Sequence, residues 1–341
     1  MTNSKPAPSE ELLTWLGAQS PRFSLRLESI EKASSDAGFR EYWRITDTAG
    51  KSFIVMDASR ETQESFDAFV KIDRLMKEEA GVNVPEMLEI ESGKRFMILN
   101  DLGTKTALNI VNEDNAREIM DQATTDLVRL QAVSRPGVLP EYDRAVLLRE
   151  LNLFPEWYVR CHRGVTWTET EQKWWQMTVD AILENVTRQA RVFVHRDFML
   201  RNMMPVEGGL AYLDFQDALY GPVSYDIASL LRDAFISWNE SFVLDMTIRY
   251  WEKARRAGVP VPSDFSDFYR DVEFMGLQRH LKVLGIFARL NYRDGKGRYL
   301  ADTPRFIEYV RATARRYIAF SPLQHLLDNL EGSETKVGYT F

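Results

Sequence analysis

The sequence predicts an α+β chain in two lobes: a small, mixed, β-rich amino-terminal lobe over residues 1–103 and a large helical lobe over residues 104–341. Three observations carry this reading. Short strand-like segments bounded by loops and turns fill much of the first hundred positions, one of them, Phe23–Leu27, with period-two alternation. Helical spacings dominate afterwards. One apolar strand, a polar loop and a hairpin, residues 192–214, interrupt the helices.

In order, a polar tail precedes a short helix around Leu12–Leu16. Phe23, Leu25 and Leu27 alternate with Ser24 and Arg26 as a first strand. Ala33–Arg40 is a loop of small residues. Tyr42–Ile45 is a second strand, Asp47–Gly50 a turn and Phe53–Met56 a third strand. Glu64–Glu79 carries Phe66, Phe69, Val70, Ile72, Leu75 and Met76 at mostly helical spacing and stops at Gly81. Met87–Ile90 leads to a further strand, Phe96–Leu99, and β-rich structure ends near residue 103.

Helices follow. Ile119, Ala123, Leu127 and Leu130 mark one; Leu147, Leu151, Phe154 and Tyr158 a second; Trp174, Thr178, Ala181 and Asn185 a third. After the interruption, Ile227, Leu230, Leu231, Ala234 and Trp238 open a series that Phe242, Met246 and Tyr250 continue. A long helix is expected from Phe265 to about Leu290, and another over Pro304–Ile318 with proline in its first turn.

The chemistry sits in the interruption. Val192–Val194 feeds His195-Arg196-Asp197, and Asn202 follows after four more residues, the spacing H-R-D-x-x-x-x-N. Met203–Val206 leaves as a strand, Glu207-Gly208-Gly209 turns, and Leu210–Leu213 returns to Asp214. A hairpin of that length brings Asp214 back beside Asn202, so two oxygen ligands face one hard cation. In the chemistry this spacing serves, Asp197 accepts the proton of an attacking hydroxyl and Asn202 holds Mg²⁺.

The net charge of −7 leaves no basic field for nucleic acid or an anionic membrane. One cysteine, Cys161, forms no intrachain disulfide and fits a reducing, cytoplasmic setting. No signal peptide, transmembrane run, repeat, zinc spacing or obligate protein partner is evident.

Val194-His195-Arg196-Asp197 with Asn202, Leu213-Asp214-Phe215 and Tyr225-Asp226 resembles the aminoglycoside phosphotransferase and choline kinase superfamily, over nearly the whole chain. Its fold is bilobal and protein-kinase-like. Phe193–Met199, Leu213–Ala218, Tyr220–Val223 and Leu230–Phe235, with Leu153–Tyr158 and Gln278–Lys282, are similar to the bacterial anomeric amino-sugar kinases of that superfamily, which phosphorylate N-acetylmuramate and N-acetylglucosamine at C1 in cell-wall recycling. The resemblance implies ATP and Mg²⁺, Asp197 as base, Asn202 and Asp214 as metal ligands, and Asp226 bracing the loop. Nucleotide contacts are expected from the loop residues Ser34, Ser35 and Gly38, from Arg44, and from Asn100 and Leu102 in the stretch beside adenine.

The acceptor, a small amino sugar, is expected against Glu150 and Tyr158, read as lying with Trp157 on one helix, and against Gln216, Arg232 and Asp233 flanking the metal segment. Arg279 or Lys282 is expected to face a lactyl carboxylate if muramate is the acceptor. One departure stands out: Met56 occupies the strand position where kinases carry a phosphate-binding lysine. Arg40 or Arg44 is the candidate replacement. A kinase of another small alcohol or of an aminoglycoside, and a nucleotide-binding pseudokinase, remain open.

Overall fold

A computed structural model describes residues 7–33 and 40–331. The chain divides into two compact units: residues up to Val111 together with Arg201–Asp217, and Asn112–Leu200 together with residues from Ala218 onward. The expected boundary near residue 103 thus lies eight residues short of this division, and the hairpin assigned to the helical lobe groups with the sheet.

In the first unit, α1 (Glu10–Phe23) starts at Ser9, whose side chain accepts the Leu12 N–H. It runs well beyond the short helix expected there. Strands β1 (Leu25–Lys32), β2 (Glu41–Asp47), β3 (Ser52–Asp57), β4 (Met87–Glu91) and β5 (Phe96–Asn100) form an antiparallel sheet ordered β1-β2-β3-β5-β4. Trp43 and Ile45, Phe53 and Val55, and Phe96 and Ile98 alternate onto one face. There they form a core with Leu12, Trp15 and Leu16 of α1. Burying each such side chain contributes roughly 1.5–3 kcal/mol. Met56, paired with Met97, turns to the other face.

Between β3 and β4, α2 (Gln63–Arg74) is capped by Thr62, which accepts the Ser65 N–H at 3.2 Å, and continues as a π-helical stretch, Leu75–Glu79. The short α3 (Ala107–Ile110) closes this part of the chain.

Four further strands follow: β6 (Arg191–Val194), β7 (Met203–Val206), β8 (Gly209–Tyr212) and β9 (Leu219–Pro222). The β7–β8 hairpin belongs to the first unit, where Asn83 bridges to Ala211. The pair β6–β9 belongs to the second. Strand β9 was not read from the sequence, because Gly221 and Pro222 argue against a strand. Its geometry explains the glycine: a Cβ at Gly221 would come within 2.6 Å of Tyr142.

The second unit is helical: α4 (Ala116–Ala132), α5 (Arg144–Leu151), α6 (Glu169–Arg188), α7 (Tyr225–Leu231), α8 (Glu240–Arg256), α9 (Phe265–Tyr292), α10 (Thr303–Arg316) and α11 (Ser321–Glu331). Helix α6 begins with a capping box between Thr168 and Glu171. Helix α9 is buried along most of its length and is the spine of the unit.

Two sequence expectations are corrected. The helical series expected through Trp238 stops at Leu231, because Asp233 folds back and accepts the Phe235 N–H at 2.8 Å. Glu150 and Tyr158 do not share one regular helix. Past Asn152 the backbone becomes a π-helix, Phe154–His162, starting with Pro155 in its first turn.

Helix α9 crosses the start of this π-helix at Gly285, where a Cβ would lie 2.4 Å from the Leu153 carbonyl carbon and 2.5 Å from its oxygen. Backbone cannot yield as a flexible side chain does. Gly285→Ala is expected to destabilise the protein by about 1–3 kcal/mol, read as a lower midpoint in urea unfolding.

Candidate functional site

The loop that carries His195, Arg196 and Asp197 lies in the helical unit. Strand β6 delivers His195, Arg196 and Asp197. The buried Asp226 on α7 accepts the N–H of His195 at 2.6 Å and of Arg196 at 3.0 Å. Burial pushes the Asp226 carboxyl up to about 7, against the pull of these two N–H donors and of Arg279. Arg196 has φ of 75°, a conformation a non-glycine residue holds only when its surroundings fix it. They do: its N–H goes to Asp226, its carbonyl accepts from Arg279 at 2.8 Å, and its guanidinium reaches Glu150 at 2.7 Å. Asp197 follows, half-buried.

His195 is buried, and among the described residues neither ring nitrogen has a hydrogen-bond partner. Burial lowers its pKa to about 4, opposed by the charge of Asp197, so the ring is neutral near pH 7. Its T-shaped contact with Phe198 makes it an anchor of the loop.

Glu150 is the centre of a buried polar cluster. It pairs with Arg196 and, at 2.9 Å, with Lys282, and accepts from the Tyr142 hydroxyl and from Gln278 at 3.2 Å. The Tyr225 hydroxyl accepts from both Arg279 and Lys282 at 3.1 Å. Burial alone would raise the Glu150 pKa; the charges of Lys282 and Arg196, with the Tyr142 hydroxyl, outweigh it and hold it at about 2. Arg279 and Lys282 were expected to meet a substrate carboxylate. Both are buried and spend hydrogen bonds inside the protein.

Other acceptor candidates are dispersed. Tyr158 stacks on Phe154 and lines a cavity of about 590 Å³ with Arg163, Arg311 and Glu331, apart from the Glu150 cluster. Arg232 grips Glu240 through both terminal nitrogens, at 2.8 and 2.9 Å. Asp233 is fully buried and accepts the Leu200 N–H at 3.3 Å.

Asn202 and Asp214, the expected metal ligands, lie in the sheet unit. The β7–β8 ladder pairs Met203 with Tyr212, and the Leu213 N–H continues it by bonding the Asn202 carbonyl at 2.9 Å. Asn202, at the end of a 3₁₀ turn, therefore stands opposite Leu213, and Asp214 comes next. Asp214 has φ of 63°, is exposed and accepts from Gln216 at 2.8 Å. An amide and a carboxylate so set present the oxygen donors that Mg²⁺ takes, with phosphates and waters for the rest. Among the described residues no group of three or more His, Cys, Asp or Glu could hold a metal.

Of the nucleotide candidates, Ser34, Ser35 and Gly38 lie outside the described residues. Arg44 forms a two-pronged pair with Asp101, at 2.5 and 3.1 Å, and also bonds the Gly103 carbonyl at 3.2 Å. The Asn100 amide oxygen accepts the Glu86 N–H at 2.7 Å, and Leu102, half-buried, follows β5. The sequence reading missed Asp101 and the Tyr142–Glu150 link. Their partners lie far apart in the chain, or in a turn without periodicity.

No helix among the described residues is long and apolar enough to cross a membrane. Residues 29–261 match the model of a family described as "Phosphotransferase enzyme family". The chain is 48% identical over 336 residues to an N-acetylmuramate/N-acetylglucosamine kinase of Neisseria meningitidis serogroup B, covering 97% of this chain and 98% of that protein. It is 46% identical over 303 residues, 89% of each chain, to a protein of the same name from Pseudomonas aeruginosa. Among solved structures it is similar in fold to the ADP-bound aminoglycoside phosphotransferase APH(2'')-Ib, with a TM-score of 0.61, 14% identity and coverage of 90% and 99% of the two chains. It is likewise similar to the choline kinase LicA from Streptococcus pneumoniae, with a TM-score of 0.63, 11% identity and coverage of 89% and 100%.

Glu150→Gln leaves Arg196 and Lys282 without their buried anion and is expected to cost about 3–5 kcal/mol of stability at neutral pH. The folded pKa of Glu150 is depressed, so its contribution is present above about pH 4.5 and fades as pH falls toward 2. Denaturant unfolding across that window should show the gap between wild type and variant narrowing with acid.

Proposed function

The chain belongs to the phosphotransferase enzyme family, and on that footing we propose that it transfers the terminal phosphoryl group of ATP to the C1 hydroxyl of N-acetylmuramate and N-acetylglucosamine. The observation that carries the acceptor is the near-complete coverage at 48% identity to a kinase named for these two sugars. Recycling of cell-wall sugars in the cytoplasm is the setting this reading implies.

Phosphoryl transfer asks chiefly for positioning and charge neutralisation. Asp197 accepts the proton of the sugar hydroxyl. An anomeric hydroxyl is more acidic than an ordinary alcohol, which eases that transfer. Asp226 and Arg279 keep the Asp197 backbone in place by holding the N–H and carbonyl of Arg196. Asn202 and Asp214 would hold Mg²⁺, which when bound offsets the negative charge of the phosphates.

Asp197→Asn is expected to lower kcat by about 10²–10⁴-fold while Mg·ATP binding, followed by calorimetry, stays within about twofold, since this residue meets the acceptor and not the nucleotide. Asp214→Asn should raise the Mg²⁺ concentration needed for half-maximal activity. Wild-type turnover by Asp197→Asn would overturn the base assignment.

Incubation with Mg·ATP and a panel of N-acetylmuramate, N-acetylglucosamine, choline and an aminoglycoside tests the acceptor. ADP should form with the two N-acetyl sugars, and phosphorus NMR should place the phosphate on C1. Turnover confined to choline or the aminoglycoside would overturn the proposal.

A further inference from the structure

We infer that Arg40, at the entrance to β2, is the phosphate-binding cation that the third strand lacks. The inference rests on the nucleotide reading above and deepens it. Kinases of this fold type place a strand lysine against the α- and β-phosphates and brace it with a helix carboxylate. Here the strand residue is Met56, fully buried.

The ladder register locates the substitute. Met56 faces Tyr42 on β2. Arg40 is two residues before Tyr42 and so leans to the same face of the sheet. Its guanidinium is braced as a phosphate-binding lysine would be, from the start of the neighbouring helix. Nη2 donates to the Ser65 hydroxyl at 2.8 Å and the Ser65 carbonyl at 3.2 Å, and stands 3.7 Å from the Glu61 carboxylate. The side chain is 7% exposed, yet among the described residues its Nε has no acceptor. A buried guanidinium with an unused donor is costly unless a ligand supplies the acceptor.

The surroundings point toward the metal segment. The Arg40 guanidinium carbon lies 5.6 Å over the Phe69 ring. Phe69 packs against Phe215, the residue after Asp214, with ring centres 4.8 Å apart. Arg44, the other candidate from the sequence, is excluded because Asp101 and the Gly103 carbonyl already take its fork.

The test compares wild type, Arg40→Gln, Arg40→Lys and the double variant Arg40→Gln with Met56→Lys. Calorimetry measures Mg·ATP and adenosine binding, and thermal melts without nucleotide monitor folding. Arg40→Gln should weaken Mg·ATP binding about 10–100-fold, the scale of one or two hydrogen bonds to a charged group, and change adenosine binding less than about twofold. Arg40→Lys should lose less, because it keeps the charge and gives up the fork. The added lysine at 56 should recover part of the Mg·ATP affinity. Mg·ATP affinity unchanged in Arg40→Gln would overturn the inference. So would equal losses for Mg·ATP and adenosine, which mark a folding role. A wild-type protein that bound no Mg·ATP would overturn instead the kinase reading beneath it.

Discussion

The hold of one buried carboxylate on two consecutive backbone amides is the constraint on which the catalytic loop depends. Asp226 lies on α7, and its oxygens take the N–H groups of His195 and Arg196. Burying a carboxylate is costly unless donors replace its water. Two amides and the nearby Arg279 do so. The exchange fixes Arg196 in a left-handed conformation that an arginine would not adopt unaided. The backbone of Asp197 follows directly from that turn, so its place in the loop is set by the bonds that hold Arg196.

The same arginine links the loop to the spine of the helical unit. Its side chain enters the cluster built on Glu150, where Gln278 and Lys282, one turn apart on α9, meet the same carboxylate. Arg279, between them, takes the Arg196 carbonyl. Two cations, Arg196 and Lys282, meet the one glutamate, and the hydroxyls of Tyr142 and Tyr225 supply further polar partners to the cluster. Arg279 and Lys282, one of which the sequence sets against a lactyl carboxylate if muramate is the acceptor, both spend hydrogen bonds inside the protein.

What the sequence made legible were features with a period or a fixed short spacing. Strands β3 and β5 follow from short apolar runs, α9 from a long helical stripe, and the pairing of Asn202 with Leu213, the residue before Asp214, from the length of the hairpin. What stayed hidden depends on partners distant in the chain. Ala234 and Trp238 fit a helical spacing, yet Asp233 breaks the helix because its carboxylate bonds Phe235 and also Leu200, thirty-three residues earlier. No periodicity announces that Asp101 will claim Arg44 across fifty-seven positions. The π-helix after Asn152 likewise separates Glu150 from Tyr158, which the sequence reads as lying on one helix.

The displaced cation in the sheet unit follows from packing. A lysine at Met56 would have to keep its ammonium satisfied among buried neighbours such as Met97, which faces it across the ladder. A thioether there needs no partner and fills the space. The positive charge can then come from the end of β2, where a longer side chain with a planar fork reaches Ser65 and Glu61 and still keeps a donor in reserve. The two units share one device. In each, an arginine near the chemistry is held by groups from another element: Arg196 by Glu150, Asp226 and Arg279, and Arg40 by the start of α2. In both cases the guanidinium is held by groups of the fold itself.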